Sequence, residues 1–248
     1  MRTDAAGYST IADTLRSEIA ALAPNSLLPT EQQLARRFGV SRGTLRRALS
    51  LLETSGLLTR QRGRGTSVSP PKITRHLSPL STFEEDLWAQ GIKFETRIVE
   101  FRPQATAPDF VRRLLRLSAR ATVGFLSLVR LVDDRVICHD QRYFPRPLAR
   151  RFDPLLVQTR AVRDVLTELA GGPIGVVDTE SEILAATADI AAVLGLRPGR
   201  LIVANTFAYY LRTGAPLEAG VMAYRIDRCK FTFTSHLDGP ESRRRRGR

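Results

Sequence analysis

The sequence predicts an α+β protein made of two successive parts, and three observations support this prediction. Apolar residues at helical spacing, separated by tight breaks, fill the first part. The segment Ser69-Pro70-Pro71-Lys72 then interrupts the pattern. After it, runs rich in β-forming residues alternate with a few helical stretches. The predicted organisation is a first domain at residues 1–69, a linker at 70–77, a second domain at 78–236 and a disordered basic tail at 237–248.

Charge and composition narrow the class of protein. The 248 residues include 38 Lys and Arg against 25 Asp and Glu, and the formal net charge of +13 favours polyanionic partners such as nucleic acid or an anionic membrane surface. No apolar run approaches the ~20 residues of a membrane span, and no signal peptide is visible, so we expect a cytoplasmic protein with no membrane partner. Cys138 and Cys229 are too few for a disulfide framework and are expected to be reduced thiols.

Three helices are predicted in the first part. The first places four apolar residues on one face: Ile11, Leu15, Ile19 and Leu22. Thr30 and Gln33 have the spacing of a capping box at the start of the second helix, which Gly39 ends. Ser41 caps the third helix.

The third helix is apolar on one side and basic on the other. The apolar side consists of Leu45, Ala48, Leu49 and Leu52. The opposite side carries Gly43, Arg46 and Arg47, with Arg42 at its edge. Two helices joined by a short turn that contains Gly, the second with this pattern, predict a helix-turn-helix.

A wing is predicted after this helix, because residues 57–60 and 66–68 can pair as strands around residues 61–65. Gly63 and Gly65 let the backbone turn, and arginine is the favoured probe of a narrow minor groove. A single arginine is usually a solvated surface charge, but here six share one helix face and the wing: Arg42, Arg46, Arg47, Arg60, Arg62 and Arg64. The arrangement favours a winged helix-turn-helix with its third helix in a major groove.

The first part resembles the DNA-binding domain of the GntR family of transcriptional regulators. The matching segments are Leu28-Pro29-Thr30-Glu31, Leu34-Ala35, Phe38-Gly39-Val40-Ser41-Arg42, Thr44-Leu45-Arg46-Arg47-Ala48-Leu49, Leu52-Glu53, Gly56-Leu57 and Gly63-Arg64-Gly65-Thr66. With the basic face, the resemblance implies that the DNA-binding residues are Thr30, Gln32, Ser41, Arg42, Gly43, Thr44, Arg46, Arg47, Arg62, Gly63 and Arg64. Gln32 and Gly43 depart from many relatives, which implies a different operator sequence at the bases they read.

The sequence of the second part predicts two antiparallel hairpins and four helices. The strands are at residues 122–131, 135–144, 201–211 and 217–226, and the turns contain Asp133-Asp134 and Thr213-Gly214. The helices are at residues 81–90, 108–117, 154–170 and 188–194.

This part resembles the HutC branch of the family, which carries a UTRA effector-binding domain. The matching residues are Phe83, Leu87, Gly91-Ile92, Arg130-Leu131, Arg142-Tyr143-Phe144-Pro145, Pro216-Leu217-Glu218 and Tyr224-Arg225-Ile226-Asp227-Arg228. The resemblance implies an antiparallel-sheet domain similar to the chorismate lyase fold, which binds an effector and supports a homodimer.

The effector site implied by the resemblance consists of Ser81, Thr82, Phe83, Arg130, Asp140, Glu218 and Tyr224. A helix start at residues 81–83 and an arginine both suit an anionic ligand. Structural alternatives stay open: Arg130 could pair with Asp140 across the hairpin, Glu218 could orient Arg225, and Phe83 could be a core residue.

The function predicted is that of a transcriptional regulator, a repressor of a metabolic operon that binds an inverted-repeat operator as a homodimer. The chain also resembles PhnF-type regulators of phosphonate utilisation, and the alternatives are an amino-sugar phosphate sensor, a histidine-catabolite sensor and a chorismate-lyase-like enzyme. No catalytic residue, metal site or cofactor is predicted, because His76, His139 and His236 are scattered and lack partners at ligand spacing.

Overall fold

A computed structural model of the chain describes residues 4–61, 63, 65–76 and 81–234. The helices are α1 Asp4–Ile19, α2 Glu31–Phe38, α3 Arg42–Thr54, α4 Phe83–Ala89, α5 Asp109–Leu114, α6 Arg146–Ala149, α7 Val162–Ala170 and α8 Ala188–Leu194, with a 3₁₀ helix at Pro154–Gln158. The strands are β1 Leu58–Gln61, β2 Gly65–Val68, β3 Ile73–His76, β4 Glu95–Thr106, β5 Thr122–Val132, β6 Arg135–Pro145, β7 Ile174–Ala185, β8 Leu201–Leu211, β9 Pro216–Arg225 and β10 Cys229–Thr232. Arg62, Arg64, His236 and the predicted tail at 237–248 lie outside the described residues.

The N-terminal unit, residues 4–68, has the three helices and the wing that the sequence predicts. Thr30 and Gln33 form the capping box of α2, and Gly39 ends that helix with a φ of 63°. β1 pairs antiparallel with β2 to form the wing. The apolar faces of the helices share one core with the wing, built on residues such as Leu15, Leu45 and Leu52. The prediction of a winged helix-turn-helix is therefore confirmed.

The C-terminal unit, residues 73–232, is built on a six-stranded sheet in the order β4-β5-β6-β9-β8-β7. Both predicted hairpins are present as β5–β6 and β8–β9, and they lie side by side because β6 pairs with β9. Asp133 and Asp134 turn the first hairpin with φ of 49° and 57°, the left-handed conformations that a two-residue hairpin turn needs. α6, α7 and the 3₁₀ helix pack on one face of the sheet, and α5 and α8 on the other.

Besides the short helix α6, three features differ from the prediction. The sheet has two further strands, β4 and β7, and both are edge strands with mostly exposed side chains. The helix predicted at 154–170 is two helices, the 3₁₀ helix at Pro154–Gln158 and α7. The segment predicted as a linker contains β3, which pairs in parallel with β10 and so belongs to the C-terminal unit by its hydrogen bonds. Among the described residues, no helix is long and apolar enough to cross a membrane.

Candidate DNA-binding face and effector cavity

The start of α3 is exposed to solvent and is capped by Ser41. The Ser41 hydroxyl accepts a hydrogen bond from the Thr44 amide at 3.1 Å and lies 2.9 Å from the Thr44 hydroxyl. This cap replaces a hydrogen bond that the first turn of a helix cannot make within itself. Arg42 and Gly43 follow on the exposed first turn, so their backbone and side chains are accessible to a large ligand.

Glu31 fixes two arginines of this face. Its carboxylate accepts a hydrogen bond from Nε of Arg46 at 2.8 Å and lies 3.0 Å from the guanidinium of Arg60. Arg46 is nevertheless 64% exposed, so its remaining donors point to solvent. An ion pair this exposed adds little stability, but it restricts the orientation of both guanidinium groups. Sequence reasoning did not include Glu31 in the site, although its position one residue after Thr30 places it at the start of α2.

The other predicted DNA-binding residues lie at the surface. Thr30, Gln32, Arg47 and Gly63 are all exposed. Gly63 has a φ of 81°, a conformation that glycine adopts without strain at the tip of the wing. Its neighbours Arg62 and Arg64 lie outside the described residues. Binding of DNA by each of these residues stays a prediction.

The second candidate site is a cavity of about 330 Å³ in the C-terminal unit. It lies between the sheet, the starts of α4 and α7, and the strand pair β3–β10. Four of the seven predicted effector residues line it: Ser81, Thr82, Phe83 and Tyr224. Arg130, Asp140 and Glu218 do not line it. The residues that sequence reasoning missed include Arg75, His76, Arg142, Arg163, Asn205 and Met222.

Arg130 is a buried structural cation in this structure. Its guanidinium is 1% exposed, donates to the carboxylate of Glu84 at 2.6 Å and to the hydroxyl of Thr96 at 3.3 Å, and lies over the ring of Phe83. It therefore makes neither the predicted approach to the cavity nor the alternative pair with Asp140. Phe83 serves both the core and the cavity, since it is 4% exposed and lines the cavity wall.

Asp140 and Glu218 act together on Arg142. Arg142 donates through Nε to Asp140 at 2.8 Å, and through one terminal nitrogen to both carboxylate oxygens of Glu218 at 2.8 and 3.0 Å. The alternative partner of Glu218, Arg225, instead binds Asp227. Burial raises the pKa of Glu218, and the attraction of Arg142 offsets this only in part. The second terminal nitrogen of Arg142 has only the Met222 sulfur at 3.9 Å as a partner among the described residues, so it is the donor best placed for a ligand.

A glycine gives Arg142 its position. Gly220 lies between Arg142 and Phe207 in one row across the sheet, and a side chain on it would collide with the Phe207 ring and the backbone oxygen of Gln141. Without that side chain, the Arg142 guanidinium reaches over β9 and stacks 5.0 Å from the centre of the Phe207 ring.

Asp86 organises the opposite wall of the cavity. Its carboxylate accepts hydrogen bonds from the hydroxyl of Ser81 at 2.6 Å, from Nδ1 of His76 at 2.8 Å and from Arg75. Burial raises the pKa of Asp86, but these donors outweigh it and hold the pKa below its ordinary value. Arg75 also lies over the ring of Phe83, with its guanidinium carbon 4.8 Å from the ring centre. β3 and α4 are thereby joined at the cavity.

Two helix starts face the cavity, and they differ in their capacity for an anion. α4 is closed by a capping box of Thr82 and Glu85 and has three acidic residues in its first turn. The capping box occupies the amides of Thr82 and Glu85, and the three carboxylates oppose a negative ligand, in contrast to the prediction for residues 81–83. α7 starts with Ala161, whose side chain offers no cap. Its first turn carries Arg163 and a single acidic residue, Asp164, whose carboxylate lies 3.3 Å from Nε of Arg163. The start of α7 therefore suits an anionic group better than the start of α4.

Asn205 supplies an acceptor on the cavity floor. It is 4% exposed, and its Oδ1 accepts no hydrogen bond from any described residue. It lies in register between Ser181 of β7 and Met222 of β9, so it has one polar and one apolar neighbour beneath the cavity. A single amide inside the apolar run Leu201–Leu211 was the signal in the sequence that could have identified it. A buried acceptor without a partner costs roughly 1–3 kcal/mol, which a ligand donor would recover.

No cluster of potential metal ligands occurs among the residues that the structure describes. Cys138 and Cys229 are both free thiols, and both are buried.

Comparison with known proteins identifies the family. Residues 7–68 match the family described as bacterial regulatory proteins, gntR family, and residues 89–230 match the UTRA domain. The chain belongs to the GntR family. As the sequence predicts, it pairs the family's DNA-binding domain with a UTRA domain, and it is a transcriptional repressor of this type. GntR regulators bind operator DNA and bind small-molecule effectors in the UTRA domain.

Named relatives cover nearly the whole chain. The transcriptional repressor NagR of Bacillus subtilis is 30% identical over 93% of this chain and 94% of its own length. The mannosyl-D-glycerate transport/metabolism system repressor MngR of Escherichia coli is 27% identical over 91% of this chain and 94% of its own. Among solved structures, PhnF from Mycobacterium smegmatis aligns with a TM-score of 0.61 and 25% identity over 92% of this chain and 100% of its own.

Proposed function

We propose that this repressor responds to a small hydroxylated acid, a sugar phosphate or sugar carboxylate, bound in the cavity beneath α4 and α7. The observation that supports it is Asn205, which lines the cavity and whose buried Oδ1 accepts no hydrogen bond from a described residue. A hydroxyl group of a ligand supplies the donor that this oxygen needs.

The cavity combines donors with acceptors. Arg142 offers a donor to an acidic group, and Arg163, which also pairs with Glu85 and Asp164, adds positive charge to the lining. Thr179, Ser181 and Asn205 add hydroxyl and amide groups. A ligand that is both charged and rich in hydroxyls uses both kinds of group at once. Relatives with carbohydrate names agree with this chemistry: besides MngR, a probable fructoselysine utilisation operon repressor of Escherichia coli is 28% identical over 65% of this chain.

An alkylphosphonate is the second candidate, favoured by the similarity to PhnF. A simple alkylphosphonate presents acceptor oxygens and an apolar group, so it would contact Arg142 or Arg163 and leave Asn205 without a donor. The two candidates therefore differ in their dependence on one side chain.

A homodimer on an inverted repeat is part of the proposal. One winged helix-turn-helix contacts too few bases to select a site in a genome, and two copies double the contact surface. The UTRA domain is proposed to hold the dimer together. Light scattering of the free chain and of its complex with DNA should give masses of two chains, and a mass of one chain in both would contradict this arrangement.

Calorimetry with three pure compounds tests the effector class. We expect glucose 6-phosphate or mannosylglycerate to bind the full chain more tightly than methylphosphonate does. The variant Asn205→Leu should weaken binding of the hydroxylated acid by about tenfold or more, because it removes an acceptor from a buried hydrogen bond.

Thr206→Val is the matched control, since Thr206 is the next residue on β8 and its side chain faces the other side of the sheet. It should leave binding unchanged. Tighter binding of methylphosphonate, with no effect of Asn205→Leu, would support the phosphonate candidate and reject the hydroxylated acid.

A further inference from the structure

The N-terminal unit packs against the turn at residues 226–228, which joins β9 to β10. The Lys72 ammonium donates to the Ile226 carbonyl at 2.9 Å, and the Ile73 amide donates to the Arg228 carbonyl at 2.8 Å. Both contacts lie just after the wing, at the start of β3. The chain leaving the N-terminal unit is therefore bound to this turn before it reaches the cavity.

Gly56 makes the closest approach to the turn. It follows α3 with a φ of 78°, which alone favours glycine. Glycine is also required at this position for a reason that does not depend on φ. A β-carbon on Gly56 would collide with the carbonyl oxygen of Asp227 and would lie 2.9 Å from Cε of Lys72. The Gly56-Leu57 pair belongs to the family resemblance, and the sequence gives no sign of the contact with Asp227.

A third contact joins the two units at the end of α3. Arg200 donates to the hydroxyl of Thr54, the last residue of α3, at 3.0 Å. Within the turn, the Asp227 carboxylate accepts hydrogen bonds from the Arg225 guanidinium at 2.7 and 3.1 Å. Arg225 also donates to the carbonyl of Leu194 at the end of α8.

The elements next to the turn also line the cavity. β9 carries Met222 and Tyr224 into the cavity, and β10 carries Phe231. β3, which pairs with β10, carries Arg75 and His76. The turn is therefore shared between the N-terminal unit and three cavity-lining strands.

We propose that the turn at residues 226–228 is a docking surface for the N-terminal unit of the same chain, and that docking sets the orientation of the DNA-binding face relative to the effector cavity. The turn contacts the end of α3 and leaves its start at Ser41 open, about 20 Å away along a helix of 13 residues. The docked unit can therefore meet DNA. The orienting role rests on the function proposed above, whereas docking itself does not.

Hydrogen exchange of the full chain, followed by mass spectrometry, tests docking without DNA or effector. Gly56→Ala should speed exchange of the amides at residues 226–228 by about tenfold or more, because the clash separates the two surfaces. Gly39→Ala is the matched control: it places alanine at a φ of 63° in the same unit, with no atom within 4 Å of its β-carbon. Equal exchange at the turn in both variants would reject docking.

Arg200→Ala provides a test that is free of backbone strain. It removes the hydrogen bond to Thr54, and we expect the same direction of change at residues 226–228. Arg197→Ala removes the same charge from an exposed position three residues earlier and should not change exchange there. These two variants decide the question if Gly56→Ala disrupts the fold of the N-terminal unit.

DNA affinity tests the orienting role. With a DNA site selected from a random pool by the wild-type chain, Arg200→Ala should bind about five- to tenfold more weakly, because an undocked unit loses orientational freedom on binding. Arg197→Ala should bind like the wild type. Equal affinities of the two variants, or tighter binding by Arg200→Ala, would overturn the orienting role. A wild-type chain that selects no DNA site would contradict the proposed function, and the exchange result would still decide docking.

Discussion

The candidate DNA-binding face and the candidate effector cavity are built in opposite ways. The face uses side chains from one continuous stretch, residues 30–63, which lie exposed on a core of their own. The cavity takes side chains from β3, α4, α7 and four strands of the sheet, and its charges are buried in pairs. A charged side chain on the exposed face affects mainly the binding of a partner from solvent. A charged side chain at the cavity also contributes to the stability of the fold. Substitutions in the two regions should therefore change different quantities.

The largest effect is expected for Arg142→Ala. It leaves the carboxylates of Asp140 and Glu218 buried without their cation, which should lower the free energy of unfolding by about 3–5 kcal/mol. Urea unfolding followed by fluorescence of Trp88, the single tryptophan, measures this change. Arg197→Ala removes an exposed arginine of the same unit as Trp88, so it is the control and should cost under about 1 kcal/mol. A loss below about 1 kcal/mol for Arg142→Ala would show that the buried cluster does not hold the sheet.

Arg130→Ala tests whether Arg130 stabilises the fold or contacts the effector. The pair with Glu84 is buried, so we expect a loss of about 3 kcal/mol in the free energy of unfolding. Under conditions where the variant is folded, its affinity for the hydroxylated acid should stay within about threefold of the wild type, because Arg130 does not line the cavity. Wild-type stability together with lost binding would restore the effector role that the family resemblance implies for Arg130.

The same contrast explains how far the sequence could predict the molecule. Thr30, Gly39 and Ser41 act on neighbours three or four residues away, so their spacing alone predicts the helices of the N-terminal unit. The central strands carry long β-forming runs and were predicted with their turns. β4 and β7 were not, because an edge strand exposed on most of its length lacks the alternation of apolar and polar residues that marks a half-buried strand.

The cavity depends on register and on partners, which the sequence does not display. Arg142 and Glu218 are 76 residues apart and meet only because β6 pairs with β9. Arg130 has a choice of carboxylates, and the position of α4 selects Glu84 over Asp140. Family resemblance identified the region of the cavity through Ser81, but it could not say which charged residues line it.

On the exposed face, Arg46→Ala should change DNA binding and leave stability nearly intact. A base or phosphate contact from a recognition helix is worth about 1–3 kcal/mol, so specific affinity should fall by roughly 5- to 150-fold. Anisotropy with the selected DNA site and with a scrambled duplex measures it. Glu31→Gln should give a smaller loss in the same direction, because it releases Arg46 and Arg60 without removing them. Full discrimination between the two duplexes by Arg46→Ala would place the recognition surface elsewhere.

The smallest effects come from two capping boxes, one in each region. Thr30→Ala and Thr82→Ala each remove a hydroxyl that accepts a backbone hydrogen bond, at a cost of about 1 kcal/mol. Thr30 is exposed and caps α2, so its loss should weaken DNA binding and leave the Trp88 unfolding curve in place. Thr82 is buried and caps α4, the helix that carries Trp88, so its loss should shift that curve and lower effector affinity.

Thr30→Ser and Thr82→Ser keep the hydroxyl and are the controls for both boxes. The serine variants should restore the property that each alanine variant lowers. If, in addition, each alanine variant affects only its own region, the local structures of the two regions are independent. A shift of the Trp88 curve by Thr30→Ala would instead show that the helix start beside the DNA-binding face is coupled to the C-terminal unit. The docking contacts of Gly56 and Arg200 provide the physical route for such coupling.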